Sequence, residues 1–238
     1  MKRKMLIVII VVAIILALDQ LLKIYIKTSF VQPGTGSIPL IGDWFILDYI
    51  ENQGMAFGTT FGGQAWHKLA LSLFRVVAIS LLVYYWIKQW KDGARTEFLI
   101  AIGLVFAGAT GNLIDSMLYD YIFEFNPCMP YNWLEGSGIT SDCGIWGTKE
   151  IRHTGFLFGN VVDMFKFHAY WPQWVPWLGG GEVFPAIWNL ADASITIGIV
   201  MIFIRQKTYF RKKVVAEEVD GSVEDNDLTV ETEVSEGE

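Results

Sequence analysis

Charge is scarce in this chain. Only 18% of its 238 residues are Asp, Glu, Lys or Arg, against 53% hydrophobic and 15% aromatic. A soluble domain of that length carries more charge than this, so the balance excludes an ordinary soluble protein. Histidine and cysteine are scarcer still, with three and two copies. His67, His153 and His168 are scattered and none reads as a ligand; two cysteines and a distant His153 are too few for a zinc site. The patterns G-x-S-x-G and H-E-x-x-H are missing, as is any Cys-His pairing signature. Tandem repeats of solenoid or propeller period are missing as well. No metal and no cofactor is expected.

After Lys213 basic residues stop altogether. Residues 214–238 hold ten Asp and Glu and few large apolar side chains, which reads as a disordered, solubilising tail. Setting those ten acids aside leaves 18 basic against 15 acidic residues, a net +3 for the body. The overall −7 therefore says nothing about substrate. The expected organisation is a membrane body over residues 1–213 and an acidic cytoplasmic tail over 214–238.

What the chain has in excess is long apolar runs. Four of them approach the roughly 20 residues that cross a bilayer as a helix. They cover about 5–25, 69–87, 98–118 and 186–204. The first follows Met-Lys-Arg-Lys like a secretory leader, but no small-x-small cleavage site follows it, and it is read as a retained helix. Lys2, Arg3 and Lys4 precede the first run, Lys88, Lys91 and Arg95 separate the second and third, and Arg205, Lys207, Arg211, Lys212 and Lys213 follow the fourth. Four spans put all these bases on one side, which predicts two cytoplasmic termini and two outward segments, 28–68 and 119–185.

Residues 37–50 alternate weakly between Gly and Pro punctuation and predict short strands. Segment 119–185 is rich in Trp, and such rings favour the headgroup level, so it is expected to lie on the membrane. Both cysteines, Cys128 and Cys143, fall there. An oxidising compartment permits a disulfide closing a loop of about 15 residues; two free thiols is the other reading.

The chemistry sits in carboxylates. An acid inside a span is costly and needs a reason. Asp19 and Asp115 come late on outward-running spans, and Asp192 comes early on an inward-running one, roughly 10 Å below a helix started at Pro185. All three thus approach one outer level, where Asp163 of Val161-Val162-Asp163 can join them. Three N-x-x-D pairs recur: Asn112 with Asp115, Asn160 with Asp163, and Asn189 with Asp192. On a helix such a spacing lets an amide hold its own carboxylate. Two aspartates facing each other in a water-restricted site share a proton, so one can activate water while the other polarises a carbonyl. Asp19 with Lys23 at i,i+4 reads as a structural ion pair, and Asp115 stays open between a cap and a site residue. Arg75 reads as a snorkelling or paired cation, with reach to a substrate as the second reading.

Five segments occur in order across the membrane body: Asp19-Gln20-Leu21-Leu22-Lys23, Asn52-Gln53-Gly54-Met55-Ala56-Phe57-Gly58, Gly108-Ala109-Thr110-Gly111-Asn112-Leu113-Ile114-Asp115, Gly159-Asn160-Val161-Val162-Asp163, and Phe184-Pro185-Ala186-Ile187-Trp188-Asn189-Leu190-Ala191-Asp192. With them the chain resembles the lipoprotein signal peptidases, also called type II signal peptidases. The resemblance implies an α-helical membrane protein of four transmembrane helices with a small extracytoplasmic β-cradle. It implies an aspartyl endopeptidase that cuts diacylglyceryl-modified prolipoproteins just before the lipidated cysteine. The catalytic pair would be Asp163 and Asp192. Asn160, Asn189, Ala191, Asn112, Asp115, Asp19, Lys23, Asn52 and Gly54 would support it or position substrate.

The same resemblance places the protein in the bacterial inner membrane with its site facing the periplasm. It would act as a monomer among membrane lipids, without nucleic acid. Two departures stand out. The family usually carries Arg after the Asp of its G-N-x-x-D segment, and here that position is Ser116; Arg152 is the candidate replacement. The stretch 121–155 is longer than in compact members. A competing reading, a transport or proton-conducting subunit, places acids near the bilayer midplane on interrupted helices.

Overall fold

Helix formation follows the apolar runs but extends past them. The structure, a computed structural model, describes residues 2–30, 36–53 and 62–210. Gly54, the motif residues 55–58, the bases at 211–213 and the acidic tail 214–238 lie outside the described residues. Among the described residues, three helices are long and apolar enough to cross a membrane: α1 (Lys2–Ser29), α2 (Ala65–Lys91) and α3 (Thr96–Ile122). Each overruns its expected span by two to four residues at either end, because the added residues include no Gly or Pro. The outer faces of α1 and α2 remain apolar, as lipid-facing surfaces require: Leu21, Phe74 and Leu81 are all exposed.

The fourth helix corrects the sequence expectation. It starts at Leu190, not at residue 186, and runs 15 residues as α4 (Leu190–Ile204). Pro185 precedes a strand. Ile187 and Trp188 pair with a neighbouring strand, and Asn189, with φ −123° and ψ 176°, is the extended residue that caps the helix. A one-turn α5 (Gln206–Tyr209) follows.

A four-stranded antiparallel sheet sits beside one end of the helices. It comprises β1 (Ser37–Ile41), β2 (Phe45–Asn52), β5 (Val161–Phe167) and β6 (Ile187–Trp188), in the order β1-β2-β5-β6. A bulge between Leu47 and Ile50 lets β2 bend and sets Ile50 opposite Asp163. Two short strands, β3 (Thr140–Asp142) and β4 (Thr148–Glu150), form a separate hairpin within the 121–155 stretch. Cys128 is disulfide-bonded to Cys143, which opens the turn between β3 and β4, and this resolves the alternative in favour of pairing.

α3 is the central helix, packed on α1, α2 and α4. Its small residues explain the closeness of α4. A Cβ at Gly108 would stand 2.1 Å from the Ala191 carbonyl oxygen, and one at Gly198 would stand 2.6 Å from that of Ala101. Glycine there removes the obstacle to backbone approach between membrane helices. Among the described residues two apolar clusters fill the interior. One joins Val8, Trp86, Phe98 and Leu99 near the basic ends; the other joins Ile26, Tyr49, Tyr119, Val162 and Met164 beneath the sheet.

Candidate active site

The site grows from the start of α4. The Asp192 N–H donates to Asn189 Oδ1 at 2.9 Å, and the Asn189 N–H donates to Asp192 Oδ2 at 3.3 Å. This reciprocal box satisfies two orphan donors of the first turn, and it fixes the Asp192 carboxylate there. A third donor, the Ala191 N–H, gives its hydrogen bond to Asp19 Oδ1 at 2.9 Å. Asp19 thus ties α1 to the positive end of α4, where an acid is favourable.

Asp163 lies on β5 and is buried. Asn189 Nδ2 donates to its Oδ1 at 2.6 Å, and Asn52 Nδ2, at the end of β2, donates to its Oδ2. Burial pushes the Asp163 carboxyl well above the usual carboxylate range, and the nearby Asp192 charge pushes the same way. Lys23 and the Asn189 amide pull back without cancelling that rise, and Asp115 adds to it.

The amide pattern differs from the one the spacing suggests. Asn112 does not hold Asp115; its Nδ2 donates to Asp192 Oδ1 at 2.8 Å. Asn189 holds Asp163 across the strand, and Asn160 turns to Asn132 at 3.2 Å. Asn189–Asp192 is a cap and Asn160–Asp163 enters a strand, while Asn112, inside α3, is turned from Asp115 by Lys23 and Asn189, which both donate to its Oδ1. Each carboxylate is therefore held by an amide from another element.

Behind the acids lies a buried charge cluster. Lys23 Nζ meets Asp115 at 2.7 Å, Asp19 at 3.0 Å and Asn112 Oδ1 at 2.9 Å. Gln20, not singled out from the sequence, donates to Asp19 and Asp115, both at 3.1 Å. Its place beside Asp19 in the first motif was the available signal. Glu51 was also missed; it accepts from Lys27 and, at 2.5 Å, from Tyr49. Asp115 therefore belongs to the scaffold cluster, and Asp19 pairs with Lys23 as its spacing predicts.

A cleft of about 810 Å³ opens onto Asp163, Asp192, Asn52 and Asn112, with an apolar side that includes Phe167, Phe184, Ile187 and Ile197. Arg75 also lines it, and Arg75 Nη1 donates to Ser116 Oγ at 3.3 Å. Arg152 does not replace the missing arginine. It forms a bidentate pair with Asp120, at 2.9 and 2.7 Å, and bonds Asn132 at 2.7 Å, which fastens the 121–155 stretch to the end of α3. Ala191 is fully buried in the α3–α4 seam.

Three long apolar helices, a small sheet, and an apolar cleft bordered by buried Asp163 and half-buried Asp192 fit a membrane aspartic endopeptidase. The chain belongs to the signal peptidase II family: the family profile described as "Signal peptidase (SPase) II" matches residues 11–207. Curated relatives agree. The lipoprotein signal peptidase of Porphyromonas gingivalis is 33% identical over 199 residues, covering 81% of this chain and 79% of its own. That of Amoebophilus asiaticus is 30% identical, covering 83% and 76%. A solved structure described as a bacterial membrane enzyme, obtained by the in meso method at 2.3 Å resolution, superposes with a TM-score of 0.55. It covers 87% of this chain and 92% of its own at 24% identity, and this likeness speaks for the fold alone.

Proposed function

We propose that this chain removes the signal peptide from diacylglyceryl-modified prolipoproteins, cutting just before the lipidated cysteine, with Asp163 and Asp192 as the working pair. The observation that carries this reading is Asn189, which bonds Asp163 through its side chain and Asp192 through its backbone N–H beside one cleft. The pair shares one proton, and burial favours it on Asp163. Asp192 then takes a proton from water as the water oxygen bonds to the scissile carbonyl carbon. Asp163 gives its proton to the carbonyl oxygen. When the tetrahedral intermediate collapses, the C–N bond breaks as Asp192 gives its proton to the leaving nitrogen and Asp163 takes one back from a diol hydroxyl, leaving a carboxyl, a free cysteine amine and the pair in its starting state. Phe167, Phe184 and Ile197 give the cleft an apolar wall suited to acyl chains.

The proposed topology has four spans, both termini cytoplasmic and the site at the periplasmic side of the inner membrane. Arg205 after α4 pairs with Glu97 at the start of α3 at 3.3 Å, which supports a common basic end opposite the acids. At 1.5 Å per residue α4 is about 22 Å long, short of a roughly 30 Å core, in keeping with a helix that begins beneath the headgroups at Asn189. Residues 1–213 form the working body of a monomer in this reading, and 214–238 a separate tail. Transport is not favoured: α1, α2 and α3 run unbroken, and the acid pair sits on a strand and a helix start.

The test is cleavage of a synthetic lipidated precursor by the purified chain in detergent. Asp163→Asn and Asp192→Asn should each lower the rate by about 100-fold or more. Normal processing by either inserted variant ends the acid-pair mechanism.

A further inference from the structure

Arg75 is the feature that the acid pair does not account for. It interrupts the apolar run Leu73-Phe74-Arg75-Val76-Val77 of α2, where a cation is expensive. Its neighbours Phe74 and Val77 are exposed on the lipid-facing side, yet Arg75 is half-buried and lines the cleft. Its Nη1 donates to Ser116 Oγ, and Ser116 is completely buried, so the guanidinium points inward and does not snorkel to a surface. Among the described residues that line the cleft, Arg75 is the only Lys, Arg or His. Its charge interacts with Asp192 and Asp163 as well as with Asp115.

A guanidinium carries five N–H donors in a planar fork, so one group can serve Ser116 and a ligand together. The Asn52, Asn112 and Asn189 amides are engaged with carboxylates. A carbonyl oxygen entering the cleft needs a donor that does not compete with those bonds, and an arginine fork suits an acceptor that gains negative charge.

We propose that Arg75 is a substrate-binding residue whose guanidinium holds a carbonyl oxygen of the precursor beside the Asp163–Asp192 pair. The proposal builds on the peptidase reading and adds to it the group that α2 contributes. Ser116 anchors the fork at its base. A long side chain grown from position 116 would enter the space the guanidinium now fills, so the cation can be delivered from α3 instead.

The experiment is steady-state cleavage of the synthetic lipidated precursor, with thermal midpoints measured in parallel. Arg75→Gln should raise KM by about tenfold or more, the size of one charge-assisted hydrogen bond. Arg75→Lys keeps the charge but loses the fork, and should raise KM by a few-fold with kcat nearly unchanged. Ser116→Arg placed on Arg75→Ser should lower KM again relative to Arg75→Ser alone. A precursor with ether-linked chains separates the two carbonyl sources. If the Arg75→Gln effect persists the oxygen is on the peptide backbone, and if it vanishes the oxygen is on an acyl ester.

Wild-type KM in Arg75→Lys and Arg75→Gln overturns the proposal, as does a folded double variant no better than Arg75→Ser. Should Arg75→Gln fail to fold, Arg75→Lys and the double variant decide by the same criteria. Full turnover by Asp163→Asn would instead sink the acid-pair reading and leave these KM ratios to judge Arg75.

Discussion

Asn112 gives its side-chain amide to Asp192 at 2.8 Å, and that orientation is imposed from behind. Its carbonyl oxygen accepts from Lys23 Nζ at 2.9 Å and from Asn189 Nδ2 at 3.1 Å. With two donors on Oδ1, the NH2 group must face the cleft. An amide whose flip is decided by an ammonium and a second amide leaves little ambiguity about which end meets the acid. Through Asn112 the buried charge cluster thus reaches Asp192 directly.

Replacing Asn112 tests that route. Asn112→Leu removes the donor to Asp192 and leaves Lys23 and Asn189 each short of one acceptor. We expect a stability loss of about 1–3 kcal/mol, since buried donors lose their partner. Processing should fall further than stability does. Equal kcat and KM to wild type in a folded Asn112→Leu protein would mean that Asp192 does not depend on this amide.

The environment of Asp163 predicts a pH dependence with a definite sign. Its native carboxyl titrates well above the usual range because burial and Asp192 oppose its charge. A raised native value means that stability present below the unfolded value, about 3.9, is lost as pH climbs through the native one. Asp163→Asn cannot ionise and escapes that loss. Its melting midpoint should exceed the wild type's at neutral pH, and the gap should close towards about pH 4. A variant less stable than wild type at neutral pH would contradict this, because it would mean the ionised acid is welcome there.

Lys23 should matter for folding first. It is completely buried between Asp19 and Asp115. Lys23→Met would leave two buried carboxylates without a cation, and breaking such a group costs about 3–5 kcal/mol. Denaturant titration in detergent measures it. A cost below about 1 kcal/mol would show that the cluster does not depend on this cation.

How much of this was readable in advance depends on the residue. Asp19, Lys23, Asn112 and Asp192 were legible because apolar surroundings make any polar side chain conspicuous. The three long helices were legible for the same reason. The start of α4 was not, since Pro185 suits a first helical turn as well as an extended approach, and only strand pairing at Ile187 and Trp188 decides between them. Spacing also misassigned the amides: a three-residue repeat cannot reveal that Asn189 serves an acid on β5 or that Asn112 serves one on α4. Those bonds depend on how close α3 and α4 approach, which two glycines permit and no local pattern announces.

The disulfide offers a test of what the 121–155 stretch does for the site. Cys128 and Cys143 are 15 residues apart, a closure worth about 3 kcal/mol by chain entropy. The exposed tip of the hairpin, Ile145 and Trp146, is not among the cleft-lining residues. The base of the stretch is held separately, by Arg152 on Asp120 and Asn132. Loosening the hairpin should therefore stay local. A Cys128→Ser, Cys143→Ser double variant is expected to keep processing within about twofold of wild type while the 128–143 loop becomes sensitive to protease. Arg152→Met should do the opposite, leaving the buried Asp120 unpaired and costing about 3–5 kcal/mol, because it detaches the stretch from α3. If the cysteine variant lost processing while its helices stayed protected from protease, the hairpin would have to reach the bound precursor directly, and the cleft drawn here would lack one of its walls.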